Sequence, residues 1–498
     1  MDNREYIIGI DIGSSSVVMA AGVRNEGGDI SILGVEVQEV EDCVKDGDIT
    51  NYIELGNAIA KAKSALENEL GRRLNSAYVG ISGRSVYCVR YEDYVEISDK
   101  TGCVTENELR ELNARMEMVV PGGGDDIIER IPLRYTIDDR QDVKNPLGAF
   151  GSKLSATYLF VLVGKHQIDR VNRALHRADI KACGLCVNPT LLPQLLLSRD
   201  EAEEGVAIVD IGSDLTDVSI VKEGKLWYFS SLPIGASAIN NDLHEFLKVS
   251  KKDIDQLKKR YGSATADGVP DNTTVPVKTA GHAKKQILQR NIAEIAEERL
   301  KDIAGFVMRE LKAAKFSTKI PCGIVLTGGS AYLSNIDLLF ARELNMEVRF
   351  GRLLNGVDDE SQQSVSAFPQ SVVVGLLLYG AKHNACETSP EMIRAVPQNN
   401  GATEKSSVGV TETKTDIFTG VPPVVTPPVA VEKVEEEKEE EKNKEEKYSQ
   451  QREDIVVEPN DKIEAKKVEE APKAKAHKSS WMDKFRNWVD DIFTDEYI

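Results

Sequence analysis

The amino-acid sequence predicts a two-lobed α/β protein, followed by a linker and one terminal helix. From Met1 to about Asn384, short β-branched runs alternate with helical patterns, which indicates sheets covered by helices. One pattern, an apolar strand, Asp-x-Gly and a second apolar strand, occurs at Asp11 and again at Asp210. After about Ala385 the composition shifts to Pro, Glu, Lys, Val and Thr. These three observations define the predicted organisation.

The spacing of apolar residues predicts individual elements within the first part of the chain. The predicted strands are Tyr6–Ile10, Ser76–Ile81, Leu159–Leu162, Val206–Val209, Val218–Val221 and Gly323–Leu326. The predicted helices are Leu55–Leu70, Gln167–Arg177, Asn188–Leu197 and Lys284–Ala314. Their alternation favours sheets that are largely parallel or mixed.

Composition argues against several classes of protein. The 498 residues leave room for two or more domains with sizeable cores. A net charge of -19 argues against a general nucleic-acid binder, because such proteins need a basic surface. No apolar stretch reaches about 18 to 20 residues, and the opening residues MDNREYIIGIDIG contain no basic region typical of a secretion signal. We therefore expect a cytoplasmic protein.

The first Asp-x-Gly turn has the chemistry of a phosphate-binding hairpin. Gly13 lets a phosphate approach the backbone because it has no Cβ. The following NH groups and the hydroxyls of Ser14 and Ser15 can donate to phosphate oxygens. Asp11 can hold a hydrated Mg²⁺ that binds the phosphates. Alone, such a turn is more often an ordinary structural hairpin.

The recurrence of this turn strengthens the interpretation. The sequence GVAIVDIGSDLTDVSIV repeats the pattern about 200 residues later, at Asp210 and Gly212. A third turn, Gly328–Gly329, follows a strand and precedes a helical pattern, where a nucleoside can lie against backbone. Together the three turns predict two similar halves that face one polyphosphate-binding cleft.

These segments resemble motifs of the actin, Hsp70 and sugar-kinase superfamily. The phosphate 1, phosphate 2 and adenosine motifs match Asp11–Val17, Asp210–Thr216 and Thr327–Ser330, and Val372–Ala381 resembles the helix that closes the first domain. The resemblance implies an actin-like (ribonuclease H-like) fold with ATP and Mg²⁺ bound between two lobes.

Within that superfamily, most of residues 5–384 resembles the FtsA family of bacterial cell-division proteins. The matching segments are Val44–Asn51, Val79–Val86, Arg130–Asp138, Asn145–Leu154, Asp253–Gly262 and Leu288–Ile303. The resemblance implies nucleotide binding by Asp11, Gly13, Ser14, Ser15, Asp210, Gly212, Ser213, Thr216, Gly235, Asp255, Lys258, Gly328, Gly329 and Ser330. It implies that Asp11 and Asp210 hold Mg²⁺ through water, and it identifies no catalytic residue.

The same resemblance predicts the domain boundaries. Lobe 1A comprises residues 1–83 and 164–204, with an inserted α+β subdomain, 1C, at 84–163. Lobe 2A comprises 205–235 and 322–370, with lobe 2B at 236–321. A closing helix of lobe 1A at 371–384, a disordered acidic and Pro-rich linker at 385–478 and an amphipathic helix at 479–498 complete the chain.

The last twenty residues predict a helix with one wide apolar face. The residues on that face are Trp481, Met482, Phe485, Trp488, Val489, Ile492 and Phe493. Trp at the edge of such a face favours a membrane interface, whereas docking in a protein groove or on the globular part are the weaker alternatives. Three aspartates offset the nearby cations, so we expect only modest attraction to anionic lipid.

The resemblance implies a cell-division adaptor that binds ATP, polymerises like actin and recruits later division proteins through the inserted subdomain. It also implies that the globular part binds the C-terminal peptide of the tubulin-like protein FtsZ and holds the division ring on the inner face of the membrane. Polymerisation would strengthen membrane binding, because many helices engage together. The alternatives are a pilus-assembly adaptor of the same superfamily, a sugar or acetate kinase, and a chaperone-type ATPase.

ATP turnover is expected to be weak, slow or absent. The second turn carries Ser213, Asp214 and Leu215 where the family has two glycines and a threonine, and the first carries Ser16 where a lysine is expected. The carboxylate of Asp214 disfavours phosphate unless a cation compensates.

Overall fold

The computed structural model describes residues 6–138, 140–278, 284–365 and 370–383. The predicted linker and the predicted terminal helix both lie outside these ranges. None of the helices within them has the length and apolar character that crossing a membrane requires.

Strands and helices alternate through the described ranges. The strands are β1 Tyr6–Ile12, β2 Ser16–Arg24, β3 Ile30–Glu39, β4 Val44–Lys45, β5 Asp48–Ile49, β6 Ser76–Ile81, β7 Val86–Glu96, β8 Asp125–Ile137, β9 Arg140–Val143, β10 Lys153–Gly164, β11 Lys181–Val187, β12 Val206–Ile211, β13 Thr216–Lys222, β14 Lys225–Leu232, β15 Thr274–Lys278, β16 Lys284–Leu288, β17 Ile324–Thr327 and β18 Val348–Phe350. The helices are α1 Tyr52–Leu70, α2 Glu106–Glu117, α3 Lys165–Arg177, α4 Asn188–Leu196, α5 Arg199–Glu204, α6 Ala236–Leu247, α7 Lys251–Tyr261, α8 Gln289–Ala313, α9 Ile336–Leu344, α10 Asp359–Ser364 and α11 Ser371–Lys382, with a 3₁₀ turn at Gly329–Tyr332.

Two five-stranded sheets repeat one topology. In the first, with the order β11-β6-β1-β2-β3, strands β1, β2 and β3 form an antiparallel meander and β6 and β11 run parallel to β1. In the second, with the order β14-β13-β12-β17-β18, β12, β13 and β14 form the meander and β17 and β18 run parallel to β12. Each Asp-x-Gly turn therefore joins the first two strands of a sheet, at equivalent places.

Helices complete the core around the first sheet. Helix α1 begins where the Asn51 side chain accepts hydrogen bonds from the backbone nitrogens of Ile53 and Glu54, at 3.1 and 3.2 Å. The most apolar helix, α11, is buried along almost its whole length and packs against β1 and α4. A Cβ on Gly380 would lie 2.5 Å from Ile7, so this close packing needs glycine.

The part of the chain that follows β6 and precedes α3 forms a separate antiparallel sheet with the order β7-β10-β8-β9. Helix α2 packs against β7 and β10, and a capping box between Thr105 and Glu108 fixes its start. This subdomain has its own small core, to which Leu112, Met116 and Leu154 belong.

Helices α8 and α9 pack against the second sheet and α6 and α7 pack against α8, and here one sequence prediction is wrong. Residues 284–288 form strand β16, so the long helix begins at Gln289 and not at Lys284. In the hairpin with β15, Ile287 pairs with Val275, and both side chains are buried. The apolar residues Ile287 and Leu288 fit the helical spacing, but strand pairing with residues ten or more positions earlier overrides that local pattern.

Candidate functional site

The two Asp-x-Gly turns have the same backbone geometry. In the first, the Gly13 nitrogen donates to the Ser16 oxygen at 3.0 Å; in the second, the Gly212 nitrogen donates to the Leu215 oxygen at 2.8 Å. In both hairpins the aspartate lies two residues before the glycine on the first strand. The second turn differs in that Asp210 pairs with another aspartate, Asp217, across the hairpin.

Three aspartates from the two sheets, of which Asp217 is buried and Asp11 and Asp210 are half-buried, influence one another electrostatically. Burial raises the pKa of Asp11 to about 7; the amide of Asn188 lowers this pKa and the charge of Asp217 raises it. Burial raises the pKa of Asp210 well above its ordinary value, and the charges of Asp217 and Asp11 add to the effect. Burial raises the pKa of Asp217 to about 6, against hydrogen bonds from Ser231 and Ser82. The turns therefore converge on one acidic centre, which we call the carboxylate centre (Asp11, Asp210 and Asp217).

The hydrogen bonds of the carboxylate centre come from several elements. Asn188, the first residue of α4, donates to Asp11 at 3.1 Å. Ser82, which follows β6, donates to Asp217, and its hydroxyl lies 3.2 Å from that of Ser231 on β14. The contact of Ser82 with Asp217 links a carboxylate of the second sheet to a strand end of the first, and the contact of Asn188 with Asp11 lies within the first sheet and its following helix.

Two oxygens at this centre are buried without a hydrogen-bond partner, Oδ1 of Asp217 and Oδ1 of Asn188. Unpartnered acceptors among carboxylates of raised pKa are what a hydrated cation would satisfy. Within the described ranges, no three His, Cys, Asp or Glu side chains lie close enough to hold a metal ion directly. The oxygens of Asp11, Asp217 and Asn188 are hard ligands of the kind that suits hydrated Mg²⁺.

The second turn is held in place from two sides. The backbone nitrogen of Ala236 and the hydroxyl of Ser330 both donate to the Gly212 oxygen, at 3.1 and 3.0 Å, and the Ser237 nitrogen donates to the Ser213 oxygen at 2.8 Å. The close approach of the start of α6 to Ser213 requires glycine at position 235, because a Cβ there would lie 2.4 Å from the Ser213 oxygen. The structure thus brings together the start of α6, the second turn and the 3₁₀ turn after β17.

Gly328 lies directly against the carboxylate centre. Its φ of +91° is in the left-handed region, and a Cβ there would lie 2.2 Å from Oδ1 of Asp210. A Cβ on its neighbour Gly329 would meet nothing within 4 Å, so this face of the turn is open. The Gly328–Gly329 pair therefore combines a tight contact with the second turn and an open surface beside it.

Asp255 and Lys258 lie on α7. Lys258 is buried and its ammonium lies 3.4 Å from Asp255, whose other oxygen is 2.7 Å from Lys259. Burial lowers the pKa of Lys258, although the charge of Asp255 opposes the effect. The loop after α7 pairs with the segment after the 3₁₀ turn, since the Ala264 nitrogen donates to the Ser334 oxygen at 2.8 Å.

Other predicted site residues occupy different environments. Ser14 and Ser15 lie at the tip of the first turn, and Ser15 is exposed. Thr216 is fully buried and its hydroxyl donates to the Ile234 oxygen at 2.7 Å, so it braces the second turn in this conformation. Burial raises the pKa of Asp46 in the first lobe, and the charge of Asp214 raises it further.

Sequence reasoning missed three members of this site: Asp217, Asn188 and Ser82. Asp217 carried a signal, because it is a carboxylate inside an otherwise apolar strand, directly after the phosphate 2 match at Asp210–Thr216. Asn188 and Ser82 carried none that separates them from ordinary residues at strand and helix ends.

Two protein-family models match parts of this chain. The family model described as "Cell division protein FtsA" matches residues 207–367, and that described as "SHS2 domain inserted in FTSA" matches residues 83–162. The cell division protein FtsA of Pseudomonas aeruginosa is 29% identical over 384 residues, covering 76% of this chain and 89% of that protein. That of Bacillus subtilis is 27% identical over 350 residues, covering 70% and 79%.

Among solved structures, the PilM-PilN type IV pilus biogenesis complex matches with a TM-score of 0.53 and 15% identity, covering 76% of this chain and 99% of that one. At that identity the likeness concerns the fold alone. The predicted two-lobed actin-like α/β fold with an inserted subdomain is confirmed for the described residues.

Proposed function

The chain belongs to the FtsA family of cell division proteins, and from this premise we propose that it is an ATP-binding adaptor of the division machinery. It polymerises like actin, binds the C-terminal peptide of FtsZ through the lobe around residues 236–321, and ties the FtsZ ring to the inner face of the membrane at the division site. The inserted subdomain, residues 84–163, recruits later division proteins. The predicted domain boundaries are part of this proposal.

One observation carries the nucleotide part of the proposal: two hairpins of equivalent topology converge on the carboxylate centre. Buried carboxylates that repel one another are costly without a cation, and Mg²⁺ bound to ATP supplies one. When bound, Mg²⁺ would neutralise phosphate charge, while Asp11 and Asp210 would hold its water shell. The Gly328–Gly329 turn and Lys258 supply an open backbone surface and a buried cation on the adenosine side.

Nucleotide binding is tested by calorimetric titration of the full chain with ATP, with Mg²⁺ and with EDTA. We expect binding only with Mg²⁺ and a loss of about tenfold or more for Asp210→Ala, because one carboxylate of the centre is removed. Asp169→Ala, at an exposed position on α3, is the matched control and keeps the parent affinity. Absence of ATP binding in the parent chain would remove nucleotide from the proposal and leave a scaffold.

The membrane part of the proposal depends on residues 479–498. Deleting Trp481–Ile498 should abolish co-sedimentation with liposomes, and Trp488→Glu in the full chain should weaken it strongly, since a carboxylate replaces an apolar anchor. Asp490→Asn, on the polar side of the predicted helix, should leave co-sedimentation unchanged or stronger. Liposome binding that survives the deletion contradicts the membrane anchor.

A weak ATPase or a nucleotide-dependent switch both agree with the altered second turn. Asp214 and Leu215 replace phosphate donors of the family pattern. We therefore propose that ATP occupancy, and not rapid turnover, controls lobe closure and polymer contacts.

A further inference from the structure

A cavity of about 330 Å³ lies where the inserted subdomain meets the second lobe. Strands β7 and β10 form one side, and β14 and the end of α8 form the other. The residues that line it include Cys88, Arg90, Leu159, Tyr228, Ala314 and Lys315. None of the predicted nucleotide-binding residues belongs to this set, so the cavity is separate from the site described above.

Arg90 is held in position without a carboxylate. One of its five N–H groups donates to the Trp227 oxygen at 3.3 Å, and its guanidinium carbon lies 5.8 Å from the ring centroids of both Trp227 and Phe316. No acidic side chain forms an ion pair with Arg90 in the described part of the chain. Partial burial lowers the pKa of Arg90, and the positive charge of Arg134 adds to this effect. The side chain of Arg90 is exposed at the cavity, and a guanidinium without a carboxylate partner can form charge-assisted hydrogen bonds with an anionic ligand.

Lys315 adds a second cation at the same cavity. It follows the end of α8 with a φ of +62°, a left-handed position that glycine usually occupies at helix ends. Across the described ranges, no carboxylate pairs with its ammonium. The nearby carboxylate of Glu310 is engaged, because it accepts the hydroxyl of Tyr228 at 2.6 Å.

The rest of the lining is apolar or unreactive. Leu159, Ala313 and Ala314 present hydrocarbon to the cavity. The thiol of Cys88 makes hydrogen bonds with the backbone oxygen and nitrogen of Phe229, at 3.3 and 3.4 Å, and burial raises its pKa to about 11, which excludes a nucleophilic role.

We propose that this cavity binds a small organic anion, a carboxylate or phosphate monoester with a compact apolar body, whose charge lies between Arg90 and Lys315. The apolar body would contact Leu159 and the alanines at the end of α8. Because β7 belongs to the inserted subdomain and β14 and α8 belong to the second lobe, the bound anion joins the two parts. This inference is independent of ATP binding and goes beyond the adaptor role.

Trp227 provides a fluorescence reporter beside Arg90. The chain contains three tryptophans, so the full chain with Trp481→Phe and Trp488→Phe reports on Trp227 alone. The probes are benzoate and phenyl phosphate, and benzamide is the neutral analogue of benzoate. At constant ionic strength, we expect both anions to change the Trp227 emission saturably, and benzamide to have no effect.

Two variants test the cations. Arg90→Gln and Lys315→Gly should each weaken anion binding by about tenfold or more, because each removes a charge-assisted contact. Lys315→Gly also suits the left-handed backbone, so a folding defect does not explain its loss of binding. Arg110→Gln, an exposed position on α2 of the same subdomain, is the matched control and should keep the parent affinity.

The proposal is overturned if benzamide acts like benzoate, if neither anion gives a saturable change, or if Arg90→Gln and Lys315→Gly bind both anions as the parent does. Saturating Mg²⁺ and ATP should leave the anion response of the parent intact. Loss of the response under ATP would place the anion in the nucleotide cleft and would also contradict the proposal.

Discussion

Asp217 offers a quantitative test of the carboxylate centre. Its pKa is raised from an ordinary 3.8 to about 6, so the folded chain binds this proton more tightly than the unfolded chain does. The stability that this group contributes is therefore present below about pH 4 and is lost as the pH rises to about 6. A difference of about two pKa units corresponds to ~3 kcal/mol of unfolding free energy.

Asp217→Asn removes this pH dependence, because the amide stays neutral. Without nucleotide or divalent cations, we expect the unfolding free energy of the variant relative to the parent to rise by ~3 kcal/mol between pH 4 and pH 8. Any constant offset from the new amide group cancels in that comparison. The charge of Asp217 also raises the pKa values of Asp11 and Asp210, so its removal acts in the same direction.

The assay is urea unfolding in EDTA of the full chain with Trp481→Phe and Trp488→Phe, followed by Trp227 fluorescence, at pH 4, 6 and 8. Asp358→Asn is the control of opposite sign. Burial raises the pKa of Asp358, but hydrogen bonds from Ser31 and Ser361 outweigh it and hold that pKa below its ordinary value. The difference in stability between this variant and the parent should therefore change only below about pH 4, where the variant loses stability relative to the parent as the pH rises, and should stay nearly constant from pH 4 to pH 8. A difference between Asp217→Asn and the parent that stays constant from pH 4 to pH 8 would refute the electrostatic reasoning.

Three further predictions concern the cleft and the core. Gly328→Ala should weaken Mg²⁺-ATP binding by about tenfold or more in calorimetric titration, because φ is +91° and the new Cβ would lie 2.2 Å from Asp210. Asp214→Gly should strengthen ATP binding and lower the pKa of Asp46 toward its ordinary value, since it removes a like charge; unchanged affinity would contradict this. Phe340→Ala, at a fully buried position of α9, should cost about 3–5 kcal/mol of unfolding free energy in urea titration.

Much of the fold was readable from the sequence because its signals are local. The apolar runs before and after Asp11 and Asp210 predicted the strands of both hairpins, and the glycines predicted their turns. The alternation of strands and helices predicted the α/β class, whereas the inserted subdomain was implied only by the resemblance of residues 130–138 and 145–154 to FtsA motifs. These patterns depend on neighbours within a few residues, where periodicity and turn chemistry dominate.

The helix start predicted at Lys284 is wrong because local spacing of apolar residues does not determine the structure of this segment. Ile287 and Leu288 continue a helical spacing, yet residues 284–288 pair with β15 because that pairing buries Ile287 against Val275. Helical spacing alone does not separate the two structures in a five-residue segment, so the tertiary contact decides.

The sequence by itself predicted the two Asp-x-Gly turns, the resemblance to the FtsA family and the wide apolar face of the last helix. Tertiary structure decided which residues those turns meet. It brought Ser82 into hydrogen-bond contact with Asp217, 135 residues away in sequence, and Asn188 into contact with Asp11, 177 residues away. It also directed the hydroxyl of Thr216 to the backbone oxygen of Ile234. Sheet register and lobe packing determine such contacts, and both arise from burial summed over distant segments, which no short stretch of sequence contains.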